Sequence, residues 1–247
     1  GVGRFLRHQP GLRQALQQSG CPLLVCPGPA PSVLPALARA VGASAVLCQA
    51  IAAPEEQAEV NAARAAGLAV NPVWHSSLLE PTQLPFFVQQ LPPVFTPFRQ
   101  AVEQASLQPP TPLPPPTSLP PWPKGVPAAY LYSQDDALTA FVGTPPAADA
   151  RSAFPYQRPP IHGGETAALA HLAQYLARGL PHSYKRTRNG LVGLDYSSKW
   201  SPWLATGALS ARQTLAQLRA YEAAQGASDG SYWLWFELLW RDYFRFL

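Results

Sequence analysis

The chain has 247 residues, of which 47% are hydrophobic and only 13% charged, with a net charge of +4. It is therefore long and apolar enough to bury a sizeable core in one or two domains. No apolar run is long enough to cross a bilayer and no secretory signal pattern opens the sequence, so a soluble protein with no membrane partner is expected. Cys21, Cys26 and Cys48 are odd in number and show neither CxxC nor Cys/His spacing, which predicts buried, reduced thiols rather than a disulfide or a metal site. The sequence contains no methionine and opens at Gly1, from which part of a longer chain is expected.

In chain order, residues from Phe5 to Ser19 read as a helix interrupted near Pro10. From Pro22 to Trp74 the pattern alternates: apolar LLVC, helical PSVLPALARAVGA, apolar ASAVLCQAI, helical PEEQAEVNAARAAG and apolar LAVNPVW. Such alternation predicts parallel strands joined by crossover helices, a Rossmann-like arrangement. No strand precedes the first helix in this sequence. Thirteen of the 30 prolines fall between Pro92 and Pro127. Proline fixes φ and has no N–H for a ladder, so this stretch predicts an extended surface connector; a proline-rich recognition ligand is the alternative. Beyond it, Ala168, Leu169, Leu172 and Leu176 recur at helical spacing, and Ser210 with Gln213 forms a capping box for ARQTLAQLRAYEAA. The fold class is thus α/β plus all-α, with domains over 1–90 and 151–247 separated by a Pro-rich linker over 91–150. His162 and His171 have no ligand cluster around them and are read as surface or core histidines.

The chemistry concentrates near the end of the chain. Between Pro181 and Ala220 six Lys and Arg residues face a lone Asp195, a local charge of +5, as a polyanion partner or a solvated basic face requires. Ser201 before Pro202 predicts a helix start with the serine as cap. Ser197, Ser198 and Lys199 would lie ahead of its positive end, giving either an anion site or an ordinary capped helix. In SYWLWFELLWRDYFRF, read as a helix, Glu237, Arg241 and Arg245 form one polar line. Trp233, Phe236, Trp240, Tyr243, Phe244 and Leu247 cover the rest, so the helix is expected to be largely buried. Buried Glu237 and Arg241 must then pair with one another or meet something polar that enters the core.

The run YKRTRNGLVGLDYSSKWSPWLATGALSAR followed by YWLWFELLWRDYFRF resembles the flavin domain of the photolyase and cryptochrome family, its DASH-type cryptochromes in particular. LPPVFTPFRQAVE, RSAFPY and GGETAALAHLAQYL are similar to the DASH-type linker and the opening of its helical domain. The resemblance implies a partial Rossmann-like antenna domain, the Pro-rich linker and the first half of an all-helical FAD-binding domain. It implies FAD as cofactor, with Tyr184 at the flavin, Ser197, Ser198, Lys199, Trp200 and Ser201 around the FAD phosphates, and Arg241 at the flavin. Glu237 and Trp240 match the residues that meet a pyrimidine dimer, and Arg188 lies in a strip facing DNA phosphate. A methenyltetrahydrofolate antenna would use Glu55 or Glu56, although Ile51 stands where an acid is expected.

The partner implied is DNA, single-stranded or lesion-bearing, and the protein is expected to be a monomer. The implied activity is blue-light-driven splitting of cyclobutane pyrimidine dimers. The alternatives are a non-repairing photoreceptor that binds FAD and nucleic acid, or an inactive fragment that binds nucleic acid through its basic helices.

Overall fold

The computed structural model describes residues 11–26, 28–128, 162–190, 193 and 195–247. The chain divides into two compact units, Gly1–Trp74 with Pro115–Ala150, and His75–Pro114 with Arg151–Leu247. Residues 75–114 group with the helices of the second unit.

In the first unit, residues 11–18 are helical; the part of the expected helix before residue 11 lies outside the described residues. Helix α1 (Ala30–Val41) carries Pro35 inside it and stops at Gly42, whose φ of 68° ends the helix in the left-handed region. Strand β1 (Val46–Gln49) pairs in parallel with β2 (Val70–Val73), Val46 opposite Val70 and Gln49 opposite Val73. A parallel pair needs a crossover, and α2 (Pro54–Ala65) supplies it, with Arg64 Nη2 donating to the Val70 carbonyl at 3.0 Å. Residues 23–26, expected as a further strand, are unpaired, because no ladder partner stands beside them among the described residues. The three thiols are free but only half-buried, not fully buried as expected. Pro-rich residues 115–123 of this unit form neither helix nor strand. The described part of this stretch is pinned at Gly125, where a Cβ would lie 2.7 Å from the Ala40 carbonyl oxygen.

The second unit is helical. Its helices are α3 (Phe95–Gln104), α4 (Glu165–Ala177), α5 (Leu180–Thr187), α6 (Ser201–Thr206), α7 (Ala211–Gln225) and α8 (Asp229–Phe246). Helix α3 falls inside the stretch expected to be linker. Phe95, Phe98 and Val102 recur three and four apart and are buried, so apolar burial outweighs the local proline content. Helix α8 starts at a Ser228/Ser231 capping box and buries Leu234, Leu238, Leu239, Tyr243 and Phe246. Each fully buried leucine contributes about 1.5–3 kcal/mol of transfer free energy. The opposite side of α8 is open, with Phe244 66% and Leu247 67% exposed, so the helix is half-buried along its end. Helix α7 begins as expected at Ser210, whose hydroxyl accepts the Gln213 N–H.

Candidate functional site

Helices α5 and α8 approach closely because Gly230 lacks a side chain: a Cβ there would sit 2.0 Å from the Pro181 carbonyl oxygen. Along this contact Tyr184 of α5 and Arg188, its C-cap residue, stand one turn apart and face Glu237 on α8. The Arg188 guanidinium bonds the Glu237 carboxylate and lies 4.3 Å from the centroid of the Trp233 ring. Tyr184 is buried, and burial, then the nearby Glu237 charge, push its phenol up to about 12 while Arg188 opposes them. Burial raises the Glu237 carboxyl above the usual range, and the Arg188 charge and hydrogen bond hold it back. The cluster therefore holds a carboxylic acid that takes up a proton more readily than a solvated one, set against the Arg188 cation.

Glu237 and Arg241 do not pair with each other, one of the two arrangements the helix pattern left open. Arg241 instead donates to the main-chain oxygens of Ser76 and, at 3.3 Å, Leu204. Burial, then the neighbouring Arg245, lower its pKa to about 10, with Asp242 acting the other way. Asp242, which the sequence pattern did not single out, is fully buried and accepts the Leu78 and Leu79 N–H groups, each at 2.9 Å. Arg212 Nε donates to the Ser77 and Leu78 carbonyls at 3.0 Å, and Arg245 Nη1 to Ser76 Oγ at 2.9 Å. Three arginines and one aspartate thus grip residues 76–79, and Arg241 ties that grip to α6.

Trp240 stacks on Phe95 at 3.9 Å and 14°, and its ring meets Phe244 at 5.5 Å and 23°. One indole face is therefore taken by α3, and the exposed Phe244 lies beside the other. Trp200 is buried edge-on against Tyr175, with ring centroids 5.3 Å apart, and its indole N–H has no hydrogen-bond partner.

The serine segment departs from the expected cap. Trp200 takes helical angles and occupies the cap position, while Ser201 is the first helical residue and makes no side-chain cap bond. The cause lies just upstream. Ser197 and Lys199 adopt φ of 60° and 59°, a left-handed backbone that costs a Cβ-bearing residue about 1–2 kcal/mol. The turn at Lys199 already aims the Trp200 carbonyl along α6, where it accepts from Trp203 and Leu204 at 3.1 and 3.0 Å. A left-handed residue followed by a right-handed one turns successive N–H groups into a concavity suited to an anion. The turn is held from outside: His171 Nε2 donates to the Ser198 carbonyl at 2.9 Å. His171 is thus neither a loose surface group nor a plain core histidine. No signal in the local sequence reveals this, since its partner lies 27 residues away.

Much of the basic strip is already neutralised within the fold. Lys185 pairs with Asp229 at 2.9 Å, Arg188 with Glu237, Arg219 with Glu222 at 2.6 Å, and Arg212 with Glu80 at 3.5 Å. Asp195 is engaged from α4 by both Arg178 nitrogens, at 2.7 and 2.6 Å. The expectation that Arg188 faces phosphate meets a guanidinium already committed to a carboxylate and a ring. In the first unit, Glu55 and Glu56 lie exposed in the first turn of α2.

The model of the DNA photolyase family matches residues 3–117. The chain is 41% identical over 242 residues to the Cryptochrome DASH of Gloeobacter violaceus, covering 96% of this chain and 46% of that protein. It is 40% identical over 244 residues to the Cryptochrome DASH of Xenopus laevis, covering 96% of this chain and 45% of that protein. The solved structure of a Synechocystis cryptochrome superposes with a TM-score of 0.84 at 35% identity, over 98% of this chain and 49% of that one. The chain belongs to the DNA photolyase and cryptochrome family, and it spans about half the length of the curated relatives it matches.

Proposed function

We propose that this chain supplies the phosphate-facing and lesion-facing part of a DASH-type, FAD-dependent, blue-light-driven photolyase that acts on cyclobutane pyrimidine dimers in single-stranded DNA. The observation that carries the reading is the Arg241 link. It bonds α8 to Leu204 of α6, a helix that begins two residues after the left-handed turn, so the serine turn and the Glu237–Trp240 stretch belong to directly joined elements.

The residues present fit a phosphate-bearing cofactor. The turn offers main-chain N–H groups, the hydroxyls of Ser197, Ser198 and Ser201 and the ammonium of Lys199, all of them donors. Bound FAD supplies light-driven electron donation to the dimer. Tyr184 forms a buried wall beside Glu237. With its raised pKa, Glu237 in the protonated form donates a hydrogen bond to a base carbonyl, and the ion pair with Arg188 opens to release it. The freed Arg188 then meets nucleic-acid phosphate. Once Arg188 leaves it, the Trp233 ring presents aromatic surface to an unstacked base, while Trp240, stacked on Phe95 and beside Phe244, helps exclude water.

A second reading, a photoreceptor that binds flavin without repair, is favoured by one observation: Glu237 is here committed to Arg188. The two are separated in a polypeptide of the relatives' full length, where Glu237→Ala is expected to lower dimer splitting at least tenfold with flavin content retained. Equal loss of flavin and repair would give Glu237 a structural role, and unchanged repair would favour the receptor.

A further inference from the structure

We infer that His171 is a positioning residue for the serine turn, setting how tightly the turn holds a phosphate-bearing ligand; the inference rests on the phosphate-binding role proposed above for that turn. Left-handed φ at both Ser197 and Lys199 is unfavourable for residues with a Cβ, so the turn keeps its shape only while the surrounding structure holds it. Ser198, the residue between them, is held through its carbonyl oxygen by His171 Nε2 at 2.9 Å. A carbonyl can only accept, so the His171 proton resides on Nε2.

The imidazole is itself held in place. It sits on α4 with its ring 5.0 Å from that of Trp203, whose Nε1 donates to the His162 carbonyl at 3.1 Å. The chain of contacts runs from His162, ahead of α4, through Trp203 of α6 to His171 and the turn. Fixing the Ser198 carbonyl on the α4 side fixes the plane of the following peptide, and so the direction of the Lys199 N–H. The imidazole therefore aims a phosphate donor without touching the ligand.

The test uses the 247-residue chain in three forms: wild type, His171→Ala and His171→Gln. Glutamine is chosen because its amide nitrogen reaches about as far as Nε2 and can donate the same bond. Three quantities are measured: affinity for FAD, affinity for riboflavin, which lacks phosphate, and amide exchange at Ser198, Lys199 and Trp200. His171→Ala is expected to weaken FAD binding about tenfold, leave riboflavin binding within twofold, and speed exchange in the turn, with His171→Gln restoring all three toward wild type. Equal weakening of FAD and riboflavin would show general damage to the fold and overturn the inference. Unchanged FAD affinity and unchanged exchange in His171→Ala would also overturn it while leaving the phosphate role standing. Failure of the wild-type chain to bind FAD, with ADP as a second phosphate probe also unbound, would overturn the phosphate role and the inference together.

Discussion

Replacing Asp242 with alanine tests whether the grip on residues 76–79 stabilises the helical unit. The carboxylate accepts two main-chain N–H groups, Leu78 and Leu79, and all three residues are at most 1% exposed, so water cannot replace it. Each orphaned buried donor costs about 1–3 kcal/mol, or about 2–6 kcal/mol for the pair. Relief of the cost of burying the carboxylate offsets part of this, so a net loss of about 2–4 kcal/mol is expected. For a chain of this size that lowers Tm by about 4–16 °C, at about 2–4 °C per kcal/mol. Urea unfolding followed by circular dichroism should show a lower midpoint with an unchanged slope, and hydrogen exchange should show faster exchange at Leu78 and Leu79. The control is Asp229→Ala, which removes only a surface pair with Lys185 and should cost less than about 1 kcal/mol. A loss below about 1 kcal/mol for Asp242→Ala, with both leucine amides still protected, would refute the reasoning.

Burial raises the Asp242 carboxyl from 3.8 to about 6, so between those values the native state binds more protons than the unfolded chain. The proton-linked part of its contribution to stability is therefore full below about pH 4 and is lost as pH rises through about 6, while the two N–H bonds it accepts persist; Asp242→Asn should flatten that part of a pH series of urea melts. Gly230→Ala gains about 1 kcal/mol of helix propensity but places a Cβ 2.0 Å from the Pro181 oxygen, a clash with backbone that cannot swing away. Thermal melting should show a net loss of about 2 kcal/mol or more, and a rise in Tm would contradict the packing of α5 on α8. Arg188→Ala removes the group that opposes burial at Glu237, so the Glu237 pKa should move further up in an NMR titration. A fall or no change would mean that the pair contributes little.

The sequence carries the helices of the second unit well wherever burial follows a local period. Leu234, Leu238 and Ser210 illustrate this: apolar spacing marks one face, and a serine marks an entry. Helix α3 was hidden by the prolines around it, yet Phe95, Phe98 and Val102 carry the same spacing and would have revealed it. The helix entry at Ser201 was displaced by one residue because left-handed angles at Ser197 and Lys199 leave no mark in residue type; glycine or asparagine is the usual sign. The partners of Glu237, Arg241 and Asp242 were illegible for a different reason. Each lies 37 to 165 residues away in the chain, and spacing along one helix cannot disclose what another element brings.

The grip on Leu78 and Leu79 also sets an order of events during synthesis. These leucines leave the ribosome 164 and 163 residues before the aspartate that secures them. At about 5–20 residues per second, translation keeps them waiting for about 8–33 s. For that interval two of the most deeply sequestered side chains of the helical unit are solvent-facing and sticky, so the nascent polypeptide is vulnerable to self-association until α8 has emerged.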